Sequence, residues 1–433
     1  MNNDTNGILV VLPDRIPILT TCKHSAAGMG RKIEEYSLYF SNFIYPYFSD
    51  LEIQVHCAYG HNYGDCWRLE TDSESISGGL PDDVTEFPLS IVVYDAYGKK
   101  LAEKHCIMEL YSDEKDLPEF RVLPIGDSMT HSQRYLEHVA EKLPKVAFVG
   151  TRSFNGWLAH EGRGGFASED YVYKFQDPYA PSPFVFPKGV EGKNYFGDYT
   201  FHWQMRNNWR SHPYVYCGYE LQELKDGMIY NREGKLYRQV DGNEVLFCEK
   251  PQWEFHFSKY MDRNQLGDVD AVSILIGTND VLKLHYDTME QGIDRLVENV
   301  QTMIDSIRTY SEDLPIILNA PILATSDSVA FGRCYGCDKH PKESRAIMLR
   351  YIERLLEKWD KCEDQNLYIV PMNAVLDPIR GFPRRGYSMG RYFDEPEIHV
   401  EDAIHPNKGG YSQMGDALAA MIQKIRMKKY EEN

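Results

Sequence analysis

Apolar residues in the first quarter of the chain occur in short runs that turn signals separate. Runs of this length, rich in β-branched and aromatic residues, are typical of strands. Gly, Pro and Lys punctuate them, as in Gly78-Gly79-Leu80-Pro81 and Tyr97-Gly98-Lys99. Residues 1–116 are therefore predicted to form a small all-β domain of the β-sandwich type. The predicted strands are residues 36–40, 51–58, 89–94 and 104–110.

The pattern changes near residue 120, where apolar runs begin to alternate with amphipathic segments. The runs lack polar alternation, as expected of parallel strands that are covered on both faces. This βαβ order predicts an α/β domain over residues 117–433, with helices packed on a parallel sheet of about five strands. The predicted strands are residues 121–125, 146–149, 271–276, 315–319 and 367–370, and the predicted helices are residues 131–143, 288–310, 344–359 and 411–427.

Residues 168–262 do not follow this alternation and are read as an insertion. They are rich in aromatic residues and turns, and a hairpin is predicted over residues 228–240. Two interpretations remain open, namely an aromatic mini-core or a substrate groove over the carboxyl end of the sheet. The side chains proposed for such a groove are Trp203, Trp209 and Trp253.

Composition narrows the class of partner. The 433 residues carry a net charge of −18, which disfavours nucleic acid and anionic membranes because phosphate binding needs clustered Lys and Arg. No apolar run reaches the length of a membrane span. The first residues lack a basic segment followed by an apolar one, which predicts a cytoplasmic protein unless a leader has been removed. A homo-oligomer is left open.

The nine cysteines are scattered, which fits reduced thiols better than a disulfide framework. Cys334, Cys337 and His340 have metal-like spacing, but no second cluster supplies the remaining ligands that zinc needs. We therefore predict no metal and interpret this stretch as a loop with incidental thiols.

A serine stands where the predicted strand ending at Ile125 meets a helix, in Gly126-Asp127-Ser128. Backbone N–H groups at a helix N-terminus favour a developing anion, which suits a nucleophile. A serine here is also a common N-cap, so the stretch alone does not decide. Asp127 is interpreted as a structural residue that ties the turn together.

Asp402 and His405, three residues apart, form a second candidate. An aspartate at this offset can orient an imidazole and stabilise its charged form, whereas the alternative is a solvated loop histidine.

Asn279 ends an apolar run and can donate to an oxyanion or close an Asx turn. Gly165 ends His160-Glu-Gly-Arg-Gly-Gly165, where a backbone N–H can approach a ligand or a plain turn forms. Together, these residues make a complete acyl-transfer site.

In this order, the four stretches resemble the four blocks of the SGNH (GDSL-type) hydrolase superfamily. Residues 126–129 are similar to the GDSL block, with Met in place of Leu. Gly165 best matches the glycine of block II, and Gly164 is the alternative alignment. Residues 277–280 resemble the G-x-N-D block, and residues 402–406 resemble the D-x-x-H-P block. The resemblance covers residues 119–428.

This resemblance implies a three-layer, flavodoxin-like α/β/α sandwich and ester hydrolysis without a metal or organic cofactor. It implies Ser128 as nucleophile, His405 as general base and Asp402 as the residue that orients His405. The implied oxyanion donors are the backbone N–H groups of Ser128 and Gly165 and the side-chain amide of Asn279.

Within the superfamily, a β-sandwich before the hydrolase domain and an HEG-type block II look most like carbohydrate O-acetyl esterases. The expected substrate is therefore a small acyl ester, above all an acetyl ester on a sugar or oligosaccharide. Two alternatives remain, namely a lipase or thioesterase for short acyl chains, and a catalytically inactive carbohydrate-binding protein.

Overall fold

The structure is a computed structural model. It describes residues 7–25, 28–33, 35–70, 80–81, 83–113, 117–153, 158–173, 182–199, 223–390, 392 and 395–431.

The N-terminal region is β-rich, as predicted. A five-stranded sheet has the order β3-β2-β10-β9-β6, a three-stranded sheet has the order β4-β8-β7, and β1 pairs with β5. The pairing of β2 with β10 is parallel and the other pairings are antiparallel. The strands are β1 (Leu9–Val10), β2 (Arg15–Ser25), β3 (Gly28–Lys32), β4 (Tyr36–Tyr39), β5 (Ile44–Tyr45), β6 (Glu52–Cys57), β7 (His61–Asn62), β8 (Cys66–Leu69), β9 (Glu86–Tyr94) and β10 (Lys100–Ser112).

The rest of the chain is built on a parallel sheet of order β12-β11-β20-β21-β22, with β13 beside the end of β11. All five long strands coincide with predicted runs to within a residue or two. The remaining strands are β11 (Phe120–Gly126), β12 (Val146–Phe148), β13 (Glu161–Gly162), β14 (Val185–Pro187), β15 (Tyr195–Asp198), β16 (Ile229–Arg232), β17 (Lys235–Val240), β18 (Asn243–Cys248), β19 (Trp253–Phe255), β20 (Ala271–Leu275), β21 (Ile316–Asn319), β22 (Leu367–Val370), β23 (Arg384–Tyr387) and β24 (Glu397–Val400).

Helices cover both faces of this sheet, which confirms the predicted α/β sandwich. None of the helices in the described part of the chain is both long and apolar enough to cross a membrane. The α-helices are α1 (Ser128–His131), α2 (Arg134–Lys142), α3 (Ser168–Val172), α4 (Phe257–Asn264), α5 (Thr278–Val281), α6 (Met289–Tyr310), α7 (Ser328–Tyr335), α8 (Pro341–Trp359), α9 (Met372–Val375) and α10 (Lys408–Glu431).

Alternate residues of each strand enter two different cores. Val122 and Ile317 pack with residues of α2 and α10, whereas Leu123 and Ile316 pack with residues of α4, α6 and α8. This two-sided burial explains why the strand sequences show no polar alternation.

The helix predicted over residues 131–143 begins earlier and is interrupted. Its first turn, α1, starts at Ser128, and Gln133 then takes a left-handed conformation with φ 62° before α2 begins. A helix of four residues has only a small dipole, so the stabilisation of an anion near Ser128 must come from local N–H groups.

The predicted hairpin of the insertion is confirmed as β16 and β17, which extend into the four-stranded sheet β15-β16-β17-β18. Aromatic rings fill the insertion. The Phe184 ring lies 5.0 Å from that of Phe255 and 4.1 Å from that of Tyr260. These rings belong to the same hydrophobic core as Leu123 and Ile316, so the insertion packs onto one face of the parallel sheet.

Buried hydrogen bonds join the N-terminal region to the parallel-sheet region. The Asn42 amide donates to the carbonyls of Asn373 (3.0 Å) and Leu376 (2.7 Å), and the Asn373 amide donates back to the Asn42 carbonyl. The partly buried Arg345 guanidinium donates to Asn42 Oδ1 at 2.9 Å and to the Ser41 carbonyl at 2.9 Å. Residues of both regions also share one hydrophobic core.

We expect Asn42→Ala to destabilise the protein by about 2–3 kcal/mol, because it removes the amide donor to two buried carbonyls and one acceptor of the Arg345 guanidinium. Urea unfolding measures this as a lower midpoint. The control is Asn243→Ala, at an exposed turn of the insertion. Equal and small shifts of the midpoint in both variants would contradict the proposed contribution of the Asn42 network.

Candidate active site

The turn at the end of β11 explains the sequence Gly126-Asp127-Ser128. A Cβ at Gly126 would collide with the Thr130 side chain and the Leu275 carbonyl, so only glycine permits this close approach. Asp127 is the N-cap of α1, and its Oδ1 accepts a hydrogen bond from the Met129 N–H at 2.9 Å. Burial raises the pKa of Asp127 to about 6. This capping contact supports the structural interpretation of Asp127.

His405 lies between Ser128 and Asp402. The distance from His405 Nε2 to Ser128 Oγ is 2.9 Å, and the distance from His405 Nδ1 to Asp402 Oδ2 is also 2.9 Å. Asp402 Oδ1 accepts from the backbone N–H groups of Ile404 and His405, each at 2.9 Å, which fixes the carboxylate. A carboxylate at Nδ1 favours the tautomer that places the proton there and leaves Nε2 to accept from the serine hydroxyl.

The electrostatics of this pair favour a charged imidazole. The hydrogen bond that His405 donates to Asp402 and the negative charge of Asp402 raise the pKa of His405 above its ordinary value, although partial burial opposes the shift. Partial burial also acts to raise the pKa of Asp402, but the hydrogen bonds from His405 and Ile404 outweigh it and hold that pKa below its usual range. Both side chains are nearly half exposed, at 45% for His405 and 41% for Asp402.

Asn279 lies beside the loop that carries Gly165. Its amide Nδ2 donates to the carbonyl of Phe166, the residue after Gly165, at 2.9 Å. An amide nitrogen has two hydrogens, so the second can serve a ligand. Gly165 has φ +79°, a conformation that favours glycine, and there is open space around the position of a Cβ. A Cβ at Gly164 would lie 3.9 Å from His131.

Asp280, which follows Asn279, ties this loop to the sheet. Its carboxylate accepts from the backbone N–H of Ser168 at 3.0 Å and from the Ser168 hydroxyl at 2.6 Å. Asn299 donates in turn to the Ser168 hydroxyl at 2.8 Å. The sequence analysis assigned no role to Asp280 or Ser168, although Asp280 stands inside the G-x-N-D stretch.

Glu161 anchors the other end of the loop and was also missed. This fully buried carboxylate accepts from the Thr151 N–H at 2.6 Å and from the Tyr260 hydroxyl at 2.7 Å, and it lies 2.9 Å from the Arg163 guanidinium. Burial and the neighbouring positive charges lower the pKa of His131 to about 4, so that this imidazole is neutral near pH 7. The sequence signal for this network is the pair of opposite charges, Glu161 and Arg163, on either side of Gly162.

Of the three candidate tryptophans, Trp253 is the one that the structure describes. It lies in β19, with its ring 6.2 Å from that of Tyr195, and packs against the hydrophobic core on one face of the parallel sheet. Trp203 and Trp209 lie outside the described residues.

Within the described ranges, no three His, Cys, Asp or Glu side chains are grouped to hold a metal ion. Cys334 and Cys337 are exposed thiols, and His340 caps α8 by accepting from the Lys342 N–H.

Residues 251–418 match the family model described as GDSL-like Lipase/Acylhydrolase. The matched segment contains Asn279, Asp402 and His405, whereas Ser128 and Gly165 precede it. No curated protein sequence shows significant similarity to the chain.

Solved structures with similar folds have low sequence identity. A carbohydrate esterase family 3 protein from Talaromyces cellulolyticus is 12% identical, with 71% of this chain and 99% of that chain covered and a TM-score of 0.34. A possible lipase from Chitinophaga pinensis is also 12% identical, with 71% and 98% covered and the same TM-score. At these identities and TM-scores, neither likeness assigns a substrate to this chain.

The described arrangement suits acyl transfer chemically, because a serine hydroxyl, an imidazole and a carboxylate are hydrogen-bonded in series. The family model matches the part of the chain that supplies the histidine, the aspartate and the amide. Residues 251–418 are thus similar to GDSL-like lipases and acylhydrolases, and this similarity indicates a carboxylic ester hydrolase.

Proposed function

We propose that the protein is a serine esterase that removes acetyl groups from O-acetylated carbohydrate. The observation that carries this proposal is the continuous hydrogen-bonded series from Ser128 Oγ through His405 to Asp402, with both links at 2.9 Å.

In the acylation half-reaction, Ser128 Oγ attacks the ester carbonyl carbon while its proton moves to His405 Nε2. The tetrahedral intermediate collapses when the bond to the sugar oxygen breaks, and His405 gives its proton to that oxygen. Asp402 stabilises the imidazolium formed in between. An acetyl group then remains on Ser128. Water repeats the sequence on this acyl-enzyme and releases acetate.

The oxyanion of both intermediates accepts hydrogen bonds from the backbone N–H groups of Ser128 and Gly165 and from the Asn279 amide. The hydrogen bond from Asn279 to the Phe166 carbonyl supports the proposal that Asn279 and Gly165 serve the same oxyanion, because the amide lies next to the loop that carries Gly165. Asp280 and Ser168 act as positioning residues that hold the loop against the sheet. Donors fixed before reaction stabilise a developing charge without reorganisation.

The sugar and acetyl assignments rest on the sequence pattern. The HEGRGGF stretch, together with a β-rich region ahead of the hydrolase domain, resembles carbohydrate O-acetyl esterases. A net charge of −18 suits a neutral substrate that needs no electrostatic steering. The family description also names lipases, so short-chain lipid or thioester hydrolysis is the competing function.

A panel of acetylated oligosaccharides and p-nitrophenyl esters tests the proposal. We expect acetate release from the oligosaccharides and a preference for p-nitrophenyl acetate over butyrate.

Ser128→Ala should reduce both activities by about 10⁴-fold or more, since the nucleophile is gone. Ser132→Ala, in the next turn, serves as the matched control. Mass spectrometry reads the acetyl loss. Undiminished hydrolysis by Ser128→Ala would refute the nucleophile, and a preference for longer acyl chains would favour the lipase function.

The raised pKa of His405 predicts an acid limb in the pH profile. The base must be neutral to accept a proton, so kcat/KM should fall as the pH drops through the pKa of His405 in the free enzyme, which lies above its ordinary value of about 6.5. Asp402→Asn removes the main cause of the shift. We expect its inflection at lower pH and a rate lower by about 10⁴-fold. An inflection that stays at the wild-type pH would contradict the assignment.

Asn279→Ala should lower kcat by about 10²–10³-fold and leave KM nearly unchanged, because the lost hydrogen bond strengthens only as the oxyanion forms. Steady-state kinetics on p-nitrophenyl acetate separates the two constants. Asn243→Ala, remote from the site, is the control. A rise in KM with unchanged kcat would assign Asn279 to ground-state binding instead.

A further inference from the structure

A cleft of about 860 Å³ lies where the N-terminal β-rich region meets α2, α9 and α10. Its volume falls in the range of about 300–1,000 Å³ that is typical of small-molecule sites. None of the five residues proposed for ester hydrolysis lines it, so it is a separate site.

One wall of the cleft is a single face of α10. Gly409 is followed at three and four residues by Ser412 and Gln413, and these are followed at four and three residues by Asp416, so all four residues lie on the same side of the helix. The neighbouring Tyr411 lies outside this wall, and its hydroxyl contacts Met129 Sδ, next to Ser128. The cleft and the catalytic serine therefore flank the same first turn of α10.

The charges in the cleft are paired with one another. Arg68 lies 3.5 Å from Glu35, and Arg380 lies 3.3 Å from Asp377. Asp416 is the partner of both other basic side chains, at 3.6 Å from Lys142 and 2.8 Å from His138.

Each basic side chain thus already has a carboxylate partner in the same cleft. The four lining carboxylates and the three lining Lys and Arg residues leave a formal charge of −4 + 3 = −1 with His138 neutral. This pairing disfavours phosphate or carboxylate ligands and fits a neutral one.

The cleft also presents an aromatic ring held in place. The Tyr63 ring is 53% exposed, with the Arg68 guanidinium 5.3 Å from its centroid and its hydroxyl donating to Glu70 at 2.9 Å. A ring fixed before binding costs a ligand little ordering, and its apolar face can stack on the C–H face of a sugar.

The wall of the cleft contains a buried hydroxyl group that needs a hydrogen-bond partner. Tyr36 is only 5% exposed, and its hydroxyl has no hydrogen-bond partner among the described residues. Tyr36 borders both the cleft and a smaller cavity of about 20 Å³, which share Glu35, Lys142 and Asp416. Such a small polar cavity has room for about one water molecule, so a water or a ligand hydroxyl can reach this wall.

We propose that this cleft is a second, non-catalytic site that binds a neutral saccharide. Paired carboxylates and guanidinium groups offer planar hydrogen-bonding partners to neighbouring sugar hydroxyls. The Ser412 hydroxyl and the Gln413 amide each add one further hydrogen-bonding partner. Tyr63 supplies the stacking surface. The site holds unsubstituted sugar units, so its ligand needs no acetyl group, and binding here does not depend on the proposed esterase activity.

Isothermal titration calorimetry of the Ser128→Ala protein with unsubstituted xylohexaose, mannohexaose and cellohexaose tests the inference. Without acetyl groups these ligands report on saccharide binding alone. Two further changes are made in this background: Tyr63→Ala removes the stacking ring, and Ser412→Trp fills the cleft. The matched control is Tyr97→Ala, a tyrosine 96% exposed on a turn of the same region and absent from the cleft wall.

We expect at least one hexasaccharide to bind, about 10-fold weaker binding in Tyr63→Ala, and loss of binding in Ser412→Trp. Tyr97→Ala should bind like its parent, and thermal melts should show that all variants are folded. Absence of binding by any of the three hexasaccharides would overturn the inference. So would binding that neither cleft variant weakens, or a preference for inorganic phosphate. None of these outcomes bears on whether wild-type protein hydrolyses esters.

Discussion

The hydrogen bond between Ser128 and His405 joins residues 277 positions apart in the sequence, and the site depends on it. The serine is fixed by the end of β11 and the turn that Asp127 caps. The histidine is fixed by a turn that its own aspartate closes, just before α10. The packing of α10 against the sheet brings Ser128 Oγ and His405 Nε2 to 2.9 Å. A small displacement of α10 would therefore separate the proposed nucleophile from the proposed base.

A second constraint is the position of the loop of residues 162–168, which carries Gly165, the proposed backbone donor to the oxyanion. Carboxylates fix it at both ends, the buried Glu161 on one side and the partly buried Asp280 on the other. Burying a carboxylate is unfavourable unless it is paired or hydrogen-bonded. Thr151 and Tyr260 donate to Glu161 Oε1, the Arg163 guanidinium lies 2.9 Å from Glu161 Oε2, and Ser168 donates to Asp280. This network explains why Glu161 and Arg163 stand on either side of Gly162.

Much of the fold was predictable from hydrophobic periodicity. The parallel strands were recognisable because burial on both faces removes polar residues from them, and Leu367–Val370 coincides with the prediction. The strand Arg15–Ser25 was not predicted, because Lys23 and His24 interrupt its apolar pattern. The break at Gln133 was not predicted either, since its left-handed conformation is stabilised by contacts of the surrounding fold rather than by a glycine. For the candidate site, the residue types and their order were readable, but Asp280 and Ser168 were not.

The sequence by itself determined the class of fold and the short polar stretches that follow strands, because strand burial and turn chemistry are local properties. Only the tertiary structure decided which polar atoms meet, since a hydrogen bond across 277 residues depends on how helices and sheet pack. It also decided that the N-terminal region shares a core with the hydrolase domain, and that their junction contains a cleft. Cavities arise from distant surfaces that fail to fill the space between them, and no local sequence pattern encodes that.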